Sequence, residues 1–132
     1  MAATVALSPS RRNDGDVLPT LVIVDDNAEF LASAEAMLGE EGFDVVGCVS
    51  DASRAIEEVR LLQPAVVLID VQLPHVNGFE LARQLAELDP RPIVILISSR
   101  DAAAYGSELK SAPVRGFISK WELSGDALAA MV

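Results

Sequence analysis

Between residues 21 and 119 the chain alternates short unbroken apolar runs with longer stretches in which apolar residues recur every three or four positions. The runs are LVIVD (21–25), FDVVGC (43–48), AVVLID (65–70), IVILIS (93–98) and VRGFIS (114–119). Their length and their content of β-branched residues predict five strands. Residues 27–41 carry Phe30, Leu31, Ala34 and Leu38 on one helical face, with Gly42 as the stop. Residues 51–62 place Ala52, Ala55, Ile56, Val59 and Leu62 on one stripe, closed by Pro64. After a loop with Pro74 and Gly78, a helix with Leu81, Leu85 and Leu88 inward runs up to Pro90 and Pro92. Residues 101–111 predict a weak helix with Gly106 inside it and Pro113 after it, and Ser124 is placed to cap a final helix.

Strand and helix in strict alternation predict an α/β fold with one parallel sheet covered by helices on both faces. The first, third and fourth runs are continuously apolar, as strands buried on both faces are. The second and fifth contain Asp44, Gly47, Arg115, Gly116 and Ser119, which suits edges. The order 2-1-3-4-5, a flavodoxin-like doubly wound sheet, satisfies both. Residues 1–19 are rich in Ser, Pro, Arg, Asp and Gly towards their end and are expected to be a disordered lead-in to one domain at 20–132.

Composition narrows the chemistry. One cysteine, Cys48, and one histidine, His75, argue against a disulfide framework and against a zinc or histidine metal site. Cys48 itself is expected to be a small core residue. A lone cysteine fits a reducing, cytoplasmic setting. The net charge of −10 argues against direct binding to nucleic acid or to an anionic membrane and allows a cation site. No apolar run approaches the roughly 18 residues of a membrane span.

In a sheet of this order, ligands bind beyond the carboxyl ends of the strands, between the first and third. The first strand ends in Asp25 and Asp26 and the third in Asp70. The fourth and fifth end in Ser98 and Lys120. Three carboxylates at one spot resist ionising together. A hard divalent cation removes the conflict, and magnesium takes one or two carboxylates while leaving positions for phosphate oxygens. One carboxylate can then act as a nucleophile towards phosphorus, with the lysine ammonium neutralising charge and the hydroxyl donating a hydrogen bond. Taken alone, Asp25 and Asp26 could merely cap a helix; Asp70 and Lys120 at the same rim weigh against that.

Four segments, VDDN, LIDVQLPHVNGFEL, ILISS and GFISK, in this order and at this spacing resemble the receiver domain of two-component response regulators. The resemblance covers residues 21–132. It implies that Asp70 is the phospho-acceptor, that Asp26 binds Mg2+ directly and Asp25 through water, and that the backbone carbonyl of Gln72 completes the protein ligands. Ser98 would bond the phosphoryl group and shift on activation, Lys120 would pair with a phosphoryl oxygen, and Phe117 stands at the switch aromatic. Gln72 and Arg100 flank the site where such side chains tune hydrolysis of the acyl phosphate. The usual proline after the lysine is replaced by Trp121, which implies a trans peptide and a reshaped turn, as in receivers that precede helix-turn-helix domains.

The expected function is a phospho-accepting switch, charged by a histidine kinase or phosphotransfer protein, that slowly hydrolyses its own phosphoryl group and turns over no external substrate. Residues 101–111 would move, and the face they form with the fifth strand and last helix would bind a partner or form a homodimer. The rivals are a degenerate receiver that binds partners without phosphorylation and an aspartyl-phosphate phosphatase. The latter wants an acid two residues after its nucleophile, where this chain has Gln72.

Overall fold

The computed structural model describes residues 18–132. The expected lead-in lies outside the described residues except for Leu18 and Pro19. Leu18 packs on the core and the Pro19 carbonyl accepts the Asp44 N–H. The elements are β1 (Thr20–Val24), α1 (Ala28–Glu40), β2 (Asp44–Val49), α2 (Ala55–Leu62), β3 (Val66–Asp70), α3 (Gly78–Leu85), β4 (Ile93–Ser98), α4 (Ser107–Ser111), β5 (Gly116–Ser119) and α5 (Gly125–Ala129). The strands form one parallel sheet in the order β2-β1-β3-β4-β5. The predicted fold class and strand order therefore stand.

Alternation along each strand splits the core in two. Leu21, Ile23, Val66, Leu68, Ile95 and Ile97 face α1 and α5, against Leu31, Ala34, Leu38 and Leu128. Val22, Val24, Val67, Ile69, Val94 and Leu96 face α2 and α3, against Ala55, Val59, Phe79 and Leu85. A strand with both faces covered has no polar positions to spare, which is why β1, β3 and β4 read as unbroken apolar runs. Among the described residues no helix is long and apolar enough to cross a membrane.

Several local expectations are corrected. The segment 101–111 is not one helix: a 3-10 turn at Ala102–Ala104 and the short α4 are separated by Gly106 at φ +56°, a backbone setting that favours glycine. Residues 51–62 likewise split into a 3-10 turn, Ala52–Arg54, and α2. Leu62 is 39 % exposed rather than inward. It sits in the last turn beside the left-handed Gln63 cap, with its tip over Gly47 of the edge strand. Cys48 is exposed, not in the core. The pairing of β1 with β2 slips at Val46, so Cys48 lies opposite Ile23 on the α1 face, at an edge where it meets Glu35 instead of the core. Partial desolvation and then the Glu35 carboxylate push its thiol up to about 11.

Candidate functional site: an acidic rim with a lysine and a buried hydroxyl

Register fixes which residues meet. Val24 pairs with Ile69, Asp70 with Ile97, and Ser98 with Ser119. The carboxyl ends of β1, β3, β4 and β5 are therefore level, and the residues at or just after them share one rim.

Asp25 follows β1 and is fully buried. Its N–H donates to the Val49 carbonyl at 3.1 Å, and its Oδ1 accepts the Asn27 N–H at 2.8 Å. Asn27 caps α1 by accepting the Phe30 N–H, so one tight turn both starts the helix and aims the carboxylate. Asp26, next along, is exposed. Asp70 ends β3 and is 4 % exposed, with Oδ1 accepting the Gln72 N–H at 3.2 Å. Carboxylate oxygens of Asp25, Asp26 and Asp70 all lie within 4.8 Å of one another. Lys120, at the end of β5, places Nζ 2.7 Å from Asp25 Oδ2 and 3.6 Å from Asp70 Oδ2. The first contact gives the buried Asp25 Oδ2 its charged partner. The same ammonium lies 4.4 Å from the centre of the Phe30 ring.

These charges shape one another. Burial, and then the neighbouring Asp25 charge, hold the Asp70 carboxyl above its ordinary range; the Gln72 N–H and the Lys120 ammonium pull it down without cancelling the rise. One lysine does not balance three carboxylates. Three carboxylates gathered within 4.8 Å, two of them buried, form an all-oxygen donor set that fits a hard divalent cation, and Asp25, Asp26 and Asp70 are the residues that would hold it.

Ser98 is fully buried at the end of β4. Its Oγ accepts the Arg100 N–H at 3.0 Å and lies 2.6 Å from the Tyr105 hydroxyl. It makes no hydrogen bond to Asp70. The sequence placed Ser98 correctly on the rim and missed Tyr105. The Tyr105 ring packs edge-on against Phe79, centroids 5.5 Å apart, and at a tilt against Phe117, 5.9 Å away. Phe117 is half-buried; Gln72 and Arg100 are exposed beside Asp70 and Ser98. The only cis bond among the described residues is Asp89–Pro90, so the bond between Lys120 and Trp121 is trans. Lys120–Glu122 form a 3-10 turn that leaves Trp121 63 % exposed. Phe30 was also missed in its role beside the lysine, because its spacing reads only as helix face. Tyr105, the chain's single tyrosine, stands seven residues after Ser98, and only the turn before Gly106 brings the two together.

The glycine at the head of α3 holds the loop after Asp70 close. A Cβ on Gly78 would lie 2.6 Å from the Asp70 carbonyl oxygen and 2.8 Å from Val71 Cα, both backbone atoms. Asn77 caps the helix by accepting the Glu80 N–H at 2.9 Å.

Comparison with known proteins agrees with this geometry. The response regulator receiver domain profile matches residues 21–132. The chain is 28 % identical over 110 residues to the DNA-binding transcriptional activator EvgA of Escherichia coli K12, covering 83 % of this chain and 54 % of EvgA. It is 33 % identical over 113 residues to the transcriptional regulatory protein DegU of Brevibacillus brevis, covering 85 % of this chain and 48 % of DegU. The chain thus spans about half the length of these relatives. Among solved structures, the signal receiver domain of a modulated diguanylate cyclase from Desulfovibrio desulfuricans G20 superposes with a TM-score of 0.75 at 26 % identity, over 88 % of this chain and 90 % of that one. Matched across its sheet, its rim and its carboxyl-terminal segment, this chain belongs to the response regulator receiver domain family.

Proposed function

We propose that the chain is a magnesium-dependent phospho-accepting switch in which a histidine kinase or phosphotransfer protein charges Asp70. The observation that carries this is the rim itself: three carboxylates within 4.8 Å, with one ammonium reaching both Asp25 and Asp70. When bound by Asp25, Asp26, Asp70 and the Gln72 carbonyl, Mg2+ supplies charge neutralisation for the carboxylates and the incoming phosphoryl oxygens.

An Asp70 carboxylate oxygen attacks phosphorus; the new P–O bond forms as the bond from phosphorus to the donor's leaving atom breaks. Gln72 N–H holds the other carboxylate oxygen and so fixes the angle of attack. Lys120, already between Asp25 and Asp70, pairs with the added negative charge. Water attack on the acyl phosphate later returns Asp70 and inorganic phosphate, and exposed Gln72 and Arg100 stand where they can slow or admit that water. The protein works on its own phosphoryl group, with no external substrate, in the cytoplasm. Its altered face, residues 101–111 with β5 and α5, engages a partner or a second copy. DNA-binding output of the kind EvgA's name describes fits a longer protein around this domain, while the net charge of −10 keeps this chain itself off nucleic acid.

Acetyl phosphate with magnesium is expected to add one phosphoryl group, read by intact-mass spectrometry, and none in EDTA. An Asp70→Asn variant labelled as well as the unaltered protein would overturn the assignment.

A further inference from the structure

We infer that Tyr105 is a latch on Ser98, a positioning residue whose hydroxyl competes with the phosphoryl group for the serine and so ties phosphorylation to the segment after β4. This rests on the phospho-acceptor reading above.

A serine hydroxyl has one proton and two lone pairs. One lone pair of Ser98 is taken by the Arg100 N–H. The 2.6 Å contact with Tyr105 takes either the proton or the second lone pair. If Ser98 donates, it has nothing left to give a phosphoryl oxygen. If Tyr105 donates, both lone pairs are filled and the oxygen is pinned between two partners in a fully buried setting. In the first case the Ser98 proton must leave Tyr105 before it can reach a phosphoryl oxygen; in the second the proton is free, and Tyr105 holds the oxygen that has to swing towards Asp70.

The other end of the latch makes this consequential. Tyr105 sits between the 3-10 turn at Ala102–Ala104 and Gly106, whose positive φ lets the chain pivot before α4. That turn and α4 bury no residue fully, so little resists their shift. The Tyr105 ring is wedged between Phe79, on the acceptor side, and Phe117 of β5. Phe117 has no hydroxyl, so Tyr105 is the aromatic that bonds the switch serine here, and Phe117 follows through ring contact. Losing the hydroxyl bond frees the ring to move, and the ring moves the segment.

Tyr105→Phe removes the hydroxyl and keeps the ring. With magnesium present, this variant should bind beryllofluoride about threefold to tenfold more tightly than the unaltered protein, the size of one net hydrogen bond. Introduced into a Ser98→Ala protein, it should change nothing. Unchanged or weaker binding by Tyr105→Phe, or an equal gain without Ser98, would overturn the latch. The unaltered protein provides a second test, because Tyr105 is its only tyrosine. A tyrosine ring-carbon label gives one resonance, which should shift when beryllofluoride and magnesium are added. A tyrosine resonance that stays put while the Asp70 amide shifts would overturn the latch alone. No response at either position would overturn the phospho-acceptor reading and the latch with it.

Discussion

Replacing Lys120 with methionine tests whether the ammonium is what makes the buried acidic rim tolerable. Methionine keeps an apolar stem beside Phe30 and removes only the charge. At an effective dielectric of 20, a unit charge 2.7 Å from Asp25 and 3.6 Å from Asp70 is worth about 6 and about 5 kcal/mol of attraction. Much of that is offset by the cost of desolvating the ammonium. Removing one partner of a buried pair costs roughly 3–5 kcal/mol net. Because Lys120 keeps 19 % of its side-chain surface exposed, the lower end applies, about 3 kcal/mol. For a domain of this size that lowers the Tm by roughly 10 °C. Magnesium should recover part of the loss. At tenfold over its dissociation constant it adds about 1.4 kcal/mol to any protein that binds it only when folded. The gain should be larger in Lys120→Met, where it also offsets charge left unpaired. Thermal unfolding followed by circular dichroism, in EDTA and in a magnesium series, measures both effects. A variant as stable as the parent in EDTA, or one that gains no more from magnesium than the parent does, would refute the electrostatic account.

Four further outcomes follow from the same structure. Asp70 is held above its ordinary range, so the native state binds that proton more tightly than the unfolded chain, and its ionisation lowers stability as pH rises through 3.8 and the raised native value. In EDTA, Asp70→Asn should therefore unfold at a higher temperature than the parent near neutral pH, with the advantage shrinking as pH falls through the raised native value towards 3.8 and gone below it; a lower Tm for the variant at neutral pH would contradict this. Gly78→Ala should destabilise by about 1–3 kcal/mol in urea titration and slow labelling by acetyl phosphate, because its Cβ meets unyielding backbone at the acceptor; a helix-propensity gain with normal labelling would show that the loop gives way. Asn77→Ala should cost about 1 kcal/mol through its lost cap, with acceptor chemistry retained in the folded fraction. Cys48, with its thiol near 11, holds a thiolate fraction on the order of one in ten thousand at pH 7 despite its exposure, so alkylation by iodoacetamide should be slow there and accelerate up to about pH 11.

The fold was legible because burial on two faces leaves a plain mark: beyond Thr20 at the start of β1, the strands β1, β3 and β4 have no polar residue until their last position or the one after. The acidic rim was legible for the same reason, since Asp25 and Asp70 stand where an apolar run meets the sheet edge and Lys120 closes the next strand but one. What escaped depended on geometry that periodicity does not encode. The break at Gly106 turns on a single positive φ, and with it went the meeting of Tyr105 and Ser98. The slip at Val46 changed which face Cys48 occupies. Phe30 carries its mark as a helix residue, and its place under the lysine needs β5 brought beside α1.

The sheet order has a further consequence for how such a molecule diversifies. Asp70 stands on the middle strand, fenced by β1 and β4, and substitutions among that strand's apolar residues disturb both halves of the core. The segment from Asp101 to Ser111 hangs beside an outer strand and buries nothing fully. Its outward side chains can be exchanged wholesale, giving new recognition surfaces, while the acid chemistry inherited at the centre is left untouched. Only Tyr105 belongs to both regions, so it is the residue such exchanges should spare.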